Sequence, residues 1–481
     1  MKIKNLILIP ALSMILASCA NANSIDSFSS FYKIDDPISG SSIDDNTSDS
    51  SPISSDLPES TFQFSVDGVV ELRNPSELNH RFVLSETDYN AFINFKNKMK
   101  VFSNKLSDIF VKREFKDGDN FVVSPLSIEL CIGLAIRSSS GQTRDELLAA
   151  LDMDYETFNA NYKLYYDYLY RASRNNMDYE TSLLLFTNSI WIDNDITLKD
   201  AGLDALRDDY YCYSYDVDFD GNNLNANQAM KEFINYHTRG LINPDLQLSP
   251  ETLFVLMNTL YLKDIWNEAG SDLGYALPNY KFTNSDGTTS TKLLLRGYYN
   301  SGKAIVTDDY SCFYTSTLGG FKIYFVKPNE GKNLKDVFTK DTMDYVLDSK
   351  NYVYSDDEKM EIYETKCIFP EYSANGDFEL SKIFAEDLNV KSLFSSVSCD
   401  MSSLTDTPVF CNEIEHIAKL EVNKKGIEGA AVTYTAYAGA AGPDPSYTMV
   451  QDTFVVDKEF GFVLTYLDGV AFSGVINNID K

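Results

Sequence analysis

Apolar positions in the first half of the chain recur at helical spacing. Between Ser85 and Arg113, the residues Phe92, Phe95, Met99, Phe102, Leu106, Ile109 and Phe110 mark one face of a long amphipathic helix. Next, Asn120-Phe121-Val122-Val123-Ser124-Pro125-Leu126-Ser127 predicts a short strand running into a helix capped by Ser124. Pro125 then takes the first helical position, where no N–H is required. The ELCIGLAI that follows is apolar nearly all round, so this helix is buried. Thr143-x-x-Glu146 predicts a capping box opening another short helix. After a Tyr-rich helical stretch from Tyr162 to Tyr170, SLLLFTNSIWI reads as a buried strand, and Ala226 to Thr238 as a helix with Met230, Phe233 and Ile234 on one side. LFVLMNTLYLKDIW, Leu253 to Trp266, is too apolar for a sheet edge and reads as a central strand. From Gly319 strands dominate, with one more helix near Leu380 to Leu388. Helices early and strands late predict an α+β fold.

One stretch fits neither period. KKGIEGAAVTYTAYAGAA, Lys424 to Ala441, has no Leu or Phe. At period 2, Ile427, Gly429, Ala431 and Thr433 share one face, and Glu428, Ala430, Val432 and Tyr434 the other. The small residues could slide between existing strands. The residues alone leave two readings: a flexible Ala/Gly linker, or an exposed loop that later becomes a strand.

The N-terminus has Lys2 and Lys4, an apolar run from Leu6 to Leu16, and then Ala17-Ser18-Cys19, which reads as an export signal over residues 1–18. The tripeptide before Cys19 resembles a bacterial lipobox, whose cysteine is lipidated and becomes the mature N-terminus; the alternative is a plain secretory signal. Residues 19–62 are rich in Ser, Asp and Pro and read as a disordered tether.

With 41 Lys and Arg against 71 Asp and Glu, the formal charge is 41 − 71 = −30, which argues against nucleic acid as a partner and leaves a lipid anchor as the membrane contact. Beyond Cys19 there are Cys131, Cys212, Cys312, Cys367, Cys399 and Cys411, without a C-x-x-C pair, so no metal site is expected and disulfide pairing stays open. The histidines are His80, His237 and His416. No G-x-S-x-G, H-E-x-x-H, G-x-x-x-x-G-K-[ST] or strand-borne G-x-G-x-x-G occurs. Nothing in the chain argues for an enzyme or a cofactor.

Four segments in order, NFVVSPLSIELCIGLAIRSSSGQTRDEL, VLMNTLYLKDIW, HIAKLEVNKKGIEGAAVTYTA and EFGFVLTYLDGVAFSGVINN, together resemble the serpin family. The resemblance implies a serpin domain over residues 85–481: a large, mostly antiparallel main sheet, smaller sheets, about eight or nine helices and an exposed reactive-centre loop. It further implies a shutter under the main sheet at Ser124, Ser127, Asn258 and His416, and a breach tryptophan at Trp266. The loop hinge would be Gly426, Ile427, Glu428, Gly429, Ala430, Ala431, Val432 and Thr433. A serine protease would attack the loop, and the cut loop would enter the sheet and trap the covalent acyl complex. The inhibitor is a monomer in this reading and supplies no catalytic residue. Non-inhibitory, surface-binding members are the alternative implied by the same fold.

Three positions depart from the family pattern: Lys424 where Glu is usual, Ile427 where Thr or Ser is usual, and Gly429 where Ala is common. Counting forward from Gly426 puts the scissile bond at Ala440-Ala441, whereas counting back from Phe460 points near Thr448. The difference amounts to about eight extra residues, placed at the Gly442-Pro443-Asp444-Pro445 turn. A small residue before the cut suits elastase-like or subtilisin-like enzymes. Tyr437, Tyr447 and Met449 are alternative cut points for chymotrypsin-like ones, and papain-like cysteine proteases remain open as partners.

Overall fold

Helix α1 (Tyr89–Glu114) runs for 26 residues, and the patterned stripe from Phe92 to Phe110 is its buried face. The computed structural model describes residues 62–78, 82, 84–85, 88–175, 183–266, 272–411, 414–427, 446–467 and 469–481. Within it, the described residues of 63–427 and 448–481 form one compact body. Helices α2 (Pro125–Ser138), α3 (Gly141–Ala150), α4 (Tyr155–Asn175), α5 (Asp200–Tyr210) and α6 (Asn223–His237) crowd the first half. Two short helices, α7 (Leu334–Val337) and α8 (Lys340–Val346), come later. So does a π-helical turn at Ile383–Asp387, inside the span marked by the apolar pattern.

The main sheet has seven strands in the order β1 (Val70–Arg73), β4 (Cys212–Val217), β3 (Leu183–Asp193), β5 (Phe254–Ile265), β14 (Gly426–Ile427), β13 (Glu415–Val422) and β12 (Tyr372–Glu379). All its neighbours are antiparallel except β3 and β4. A second sheet orders β2 (Phe121–Val123), β17 (Gly469–Ile476), β16 (Phe460–Tyr466), β9 (Lys322–Pro328), β8 (Tyr310–Ser316) and β7 (Ile305–Val306). In the third, β11 (Glu361–Phe369) pairs with β6 (Leu295–Ser301), β10 (Ser355–Asp356) and, in parallel, β15 (Thr448–Val455). This is the α+β arrangement that the pattern predicts.

Helix α2 packs on both β5 and β17, which explains its all-round apolarity. Its Leu126, Leu130 and Leu134 are fully buried, each contributing about 1.5–3 kcal/mol of apolar burial. Gly133 lets α4 approach, since a Cβ there would sit 2.3 Å from the Tyr162 ring.

Two features differ from the sequence reading. The expected capping box does not form: α3 starts at Gly141, with Ser140 as its N-cap residue. The Thr143 hydroxyl accepts from the Asp400 N–H (3.0 Å), and Glu146 accepts from the Lys391 and Ser392 N–H groups (2.8 Å each), so tertiary contacts take the groups that capping would use. The ordered fold also begins before residue 85, because β1 extends the main sheet past β4. Its VELR is short and half-exposed, which leaves no periodic signal.

Candidate functional site

The β5 strand pairs with β3 along Leu183–Ile192, but on its other edge, among the described residues, β14 meets it only at Ile265 and Asp264. Across β14, Ile427 faces Val422 of β13. Gly426 and Ile427 are thus a short wedge between two long strands, and both are buried. Below the wedge, no ladder joins β5 to β13 among the described residues. A cavity of about 110 Å³ lies there instead, lined by Val255 and Leu256 of β5, by Ile414 and Ile417, and by Met230 and Ile234 of α6, which roofs it.

The wedge fits through steric economy. A Cβ on Gly426 would lie 1.9 Å from the Asp264 carbonyl oxygen, so the position accepts no side chain. The turn before it, Asn423-Lys424-Lys425, is tied down from several sides. The buried Trp266 indole donates to the Asn423 carbonyl at 2.7 Å, while its ring packs against Phe369. The Lys424 N–H donates to Glu371 (2.8 Å), its ammonium pairs with Asp272 (2.9 Å), and its carbonyl accepts from the Leu273 N–H (2.7 Å). The unusual Lys424 therefore sits among acidic partners whose charge opposes its own.

Deeper in the seam, four expected residues come together as a hydrogen-bonded chain. His416, on β13, accepts at Nε2 from the Ser124 N–H (3.0 Å). Ser124 caps α2 by accepting from the Ser127 N–H (3.3 Å), and its hydroxyl donates to the Ala471 carbonyl (2.8 Å). The Ser127 hydroxyl donates to the Asn258 carbonyl (3.3 Å), and the Asn258 amide donates to Asn188 Oδ1 (2.9 Å) across the β3–β5 ladder. Asn258 Oδ1 is buried and has no partner among the described residues. Burial pushes the His416 imidazole down to about 4, which keeps it neutral and able to accept. The chain ties helix α2 to both strands flanking the gap, so parting them must break it.

Sequence reasoning missed Asn188 and Asp264. Asn188 is buried and donates to the Tyr210 carbonyl (2.8 Å); its signal was one amide inside the apolar SLLLFTNSIWI. Asp264 is buried in β5 and accepts from the Gly319 N–H (2.9 Å) and the Ile265 N–H (2.9 Å), bolting the top of β5 to the β8–β9 turn. Its signal was one charge in YLKDIW.

Other expected positions fall elsewhere. Glu428, Gly429, Ala430, Ala431, Val432, Thr433, Tyr437, Ala440, Ala441 and Cys19 lie outside the described residues. Tyr447 is half-buried. Met449 is the second residue of β15 and pairs with Ile362, so its backbone is already committed to a sheet. Among the described residues, Asp193, Asp218 and Asp220 form a compact carboxylate group away from the seam, where Asp193 accepts from the Asp195 and Phe219 N–H groups.

Residues 97–478 match the family model described as Serpin (serine protease inhibitor). A curated relative, Iripin-2 of Ixodes ricinus, is 26% identical over 375 residues, covering 75% of this chain and 88% of the relative. Among solved structures, Arabidopsis AtSerpin1 in its native stressed conformation superposes with a TM-score of 0.65 at 20% identity, covering 81% of this chain and 99% of that one. The complex of thyroxine-binding globulin with thyroxine gives 0.62 at 16% identity, covering 80% and 99%.

Proposed function

Because the chain belongs to the serpin family of serine protease inhibitors, we propose that it acts as an irreversible suicide substrate whose reactive loop inserts into the main sheet. The observation that carries this reading is the wedge of Gly426 and Ile427 between β5 and β13, with a gap beneath it that no ladder among the described residues closes. A loop whose first two residues already occupy the gap needs no search for its register. The residues that follow inward, Gly429, Ala431 and Thr433, are small enough for a closed sheet interior.

In this scheme the protease serine attacks the Ala440 carbonyl, the Ala440–Ala441 bond breaks, and the Ala441 amine leaves with a proton. The ester that remains ties protease to hinge. Each residue that enters costs about 1–2 kcal/mol of backbone ordering and returns roughly 1 kcal/mol per hydrogen bond, so apolar burial decides the outcome. The inserted strand drags the acyl-enzyme with it before water can release it.

Small residues at the cut favour elastase-like or subtilisin-like targets. Gly426 to Asp457 contains no Lys or Arg, which disfavours trypsin-like ones. Leu16-Ala17-Ser18-Cys19 and the Ser/Asp-rich tether support display as a lipoprotein at a bacterial surface. Incubation with pancreatic elastase followed by a denaturing gel tests the mechanism. An SDS-stable complex is expected; clean cleavage with no complex and no gain in thermal stability rejects inhibition and favours a serpin-fold binding protein.

A further inference from the structure

The fold recruits residues that precede the family match at residue 97. β1 pairs antiparallel with β4, Val70 opposite Asp216 and Arg73 opposite Ser214. The segment leading into it grips α6 at two points about two turns apart. The Ser65 N–H donates to Glu232 Oε2 at 2.8 Å and the Ser65 hydroxyl donates to Oε1, while the Asn225 amide donates to the Asp67 carbonyl at 3.1 Å. Phe64 meets Trp191 and Tyr215 edge-on, with ring centroids 5.7 and 5.3 Å away. Those two rings in turn contact Phe233 of α6 at 5.5 and 5.8 Å. At the far end, the Arg73 guanidinium pairs with Asp200 and Asp204 of α5 at 2.7 Å each.

Helix α6 is the element through which this matters. Its Met230 and Ile234 face the gap between β5 and β13, so a strand entering there arrives directly beneath it. Widening a sheet by one strand takes roughly 4.8 Å of lateral room. A helix held firmly over the seam opposes that movement; a loosened helix permits it.

We propose that Phe64, Ser65 and Asp67, anchored by β1, are positioning residues that hold α6 against the main sheet and thereby set the barrier to loop insertion. This rests on the insertion mechanism above. The segment bonds α6 to the β4–β3 side of the sheet, so the strap resists any lift of α6 that insertion requires. Its contribution is kinetic: it keeps an uncut loop from entering before a protease arrives.

The test uses the full-length protein as wild type, Phe64→Ala and Phe64→Leu, held at physiological temperature without protease. Conversion is read as the appearance of a form that melts far above the native one. Losing the ring contacts is expected to speed conversion about five- to tenfold in Phe64→Ala, while Phe64→Leu stays near wild type. A merely structural role would lower the native melting temperature without producing the high-melting form. Equal conversion in Phe64→Ala and wild type, including none in either, overturns the proposal, as does loss of native protein by ordinary unfolding alone. Because no protease enters this measurement, absence of an SDS-stable complex with elastase would reject inhibition and leave the strap to be judged by its own result.

Discussion

The α-carbon of Gly426 lies so close to Asp264 that a methyl group on it would meet the Asp264 carbonyl oxygen at 1.9 Å. Backbone cannot yield as a flexible side chain would. Gly426→Ala is therefore expected to expel the wedge, at a cost of about 1–3 kcal/mol from overpacking. The expected outcome is more cleaved, uncomplexed inhibitor per protease trapped, with loss of hydrogen-exchange protection at the Ile427 amide. Unchanged protection would show that the hinge tolerates a side chain there.

Ile427 is fully buried and opposes Val422 and Asp264 in the two flanking strands. Ile427→Arg would force a long guanidinium into that packed interior, where the Asp264 carboxylate opposite is already engaged by the Gly319 and Ile265 N–H groups, and desolvating the charge costs several kcal/mol. The variant should be cut like a substrate and form little or no SDS-stable complex, while Ile427→Val should behave as wild type. Trapping by the Arg variant at wild-type stoichiometry would refute strand insertion.

Trp266 contributes a single polar contact, its N–H to the Asn423 carbonyl, on top of its ring packing with Phe369. Trp266→Phe should retain most of the packing and leave that carbonyl short of a donor. A loss of about 1–2 kcal/mol in urea unfolding is expected, together with a faster-exchanging turn at residues 423–425.

The seam histidine predicts an acid-side instability. Burial lowers the folded His416 pKa to about 4, below the ordinary value of 6.5, so between those values the unfolded chain binds the proton and the native state does not. Stability from this group is fully present above pH 6.5 and is lost as pH falls toward 4, by about 3 kcal/mol in all. His237, lowered by burial to about 3, acts in the same direction. His416→Gln should flatten part of the slope between pH 6.5 and 4.5, measured as urea midpoints across a pH series.

Glu129 predicts the opposite trend. It is buried in α2, where desolvation raises its carboxyl to about 8 despite hydrogen bonds donated by the Ser103 and Tyr165 hydroxyls. The native state holds its proton where the unfolded chain has released it, so this stability is full below pH 4.5 and fades as pH rises through 8. Glu129→Gln mimics the protonated acid. The variant should be more stable than wild type at pH 8, by on the order of 3 kcal/mol, and should lack the alkaline decline. A variant no more stable than wild type at pH 8 would show that the carboxylate finds water there.

Where burial imposes a period, the sequence could be read: the stripe of α1, the Ser124–Pro125 start of α2 and the apolar run of β5 all stand where the pattern marks them. The seam residues were legible by resemblance, because their spacing survives as motif. Several features were not legible, each for a physical reason. A two-residue strand such as Gly426–Ile427 is too short to carry a period, so its pairing on both sides emerges from tertiary packing alone. β1 lies at a sheet edge, half-exposed, where polar residues are tolerated. Thr143 and Glu146 have the composition of a local cap but spend their oxygens on a distant segment. Asn188 and Asp264 are single polar residues in apolar runs, and their partners are far away in sequence.

The strands after the loop settle what becomes of a spent molecule. The strands from Thr448 onward are woven into the body, β15 alongside β11, and β16 and β17 in the middle of the six-stranded sheet. A nick upstream of Thr448 would therefore release no fragment. Copies cut without trapping a protease would keep nearly the mass and hydrodynamic radius of uncut ones, and separate into two bands only when denatured. A population counted by size would look fully stocked while its capacity ran down, so any partner that clears spent copies would have to read the surface of the filled seam.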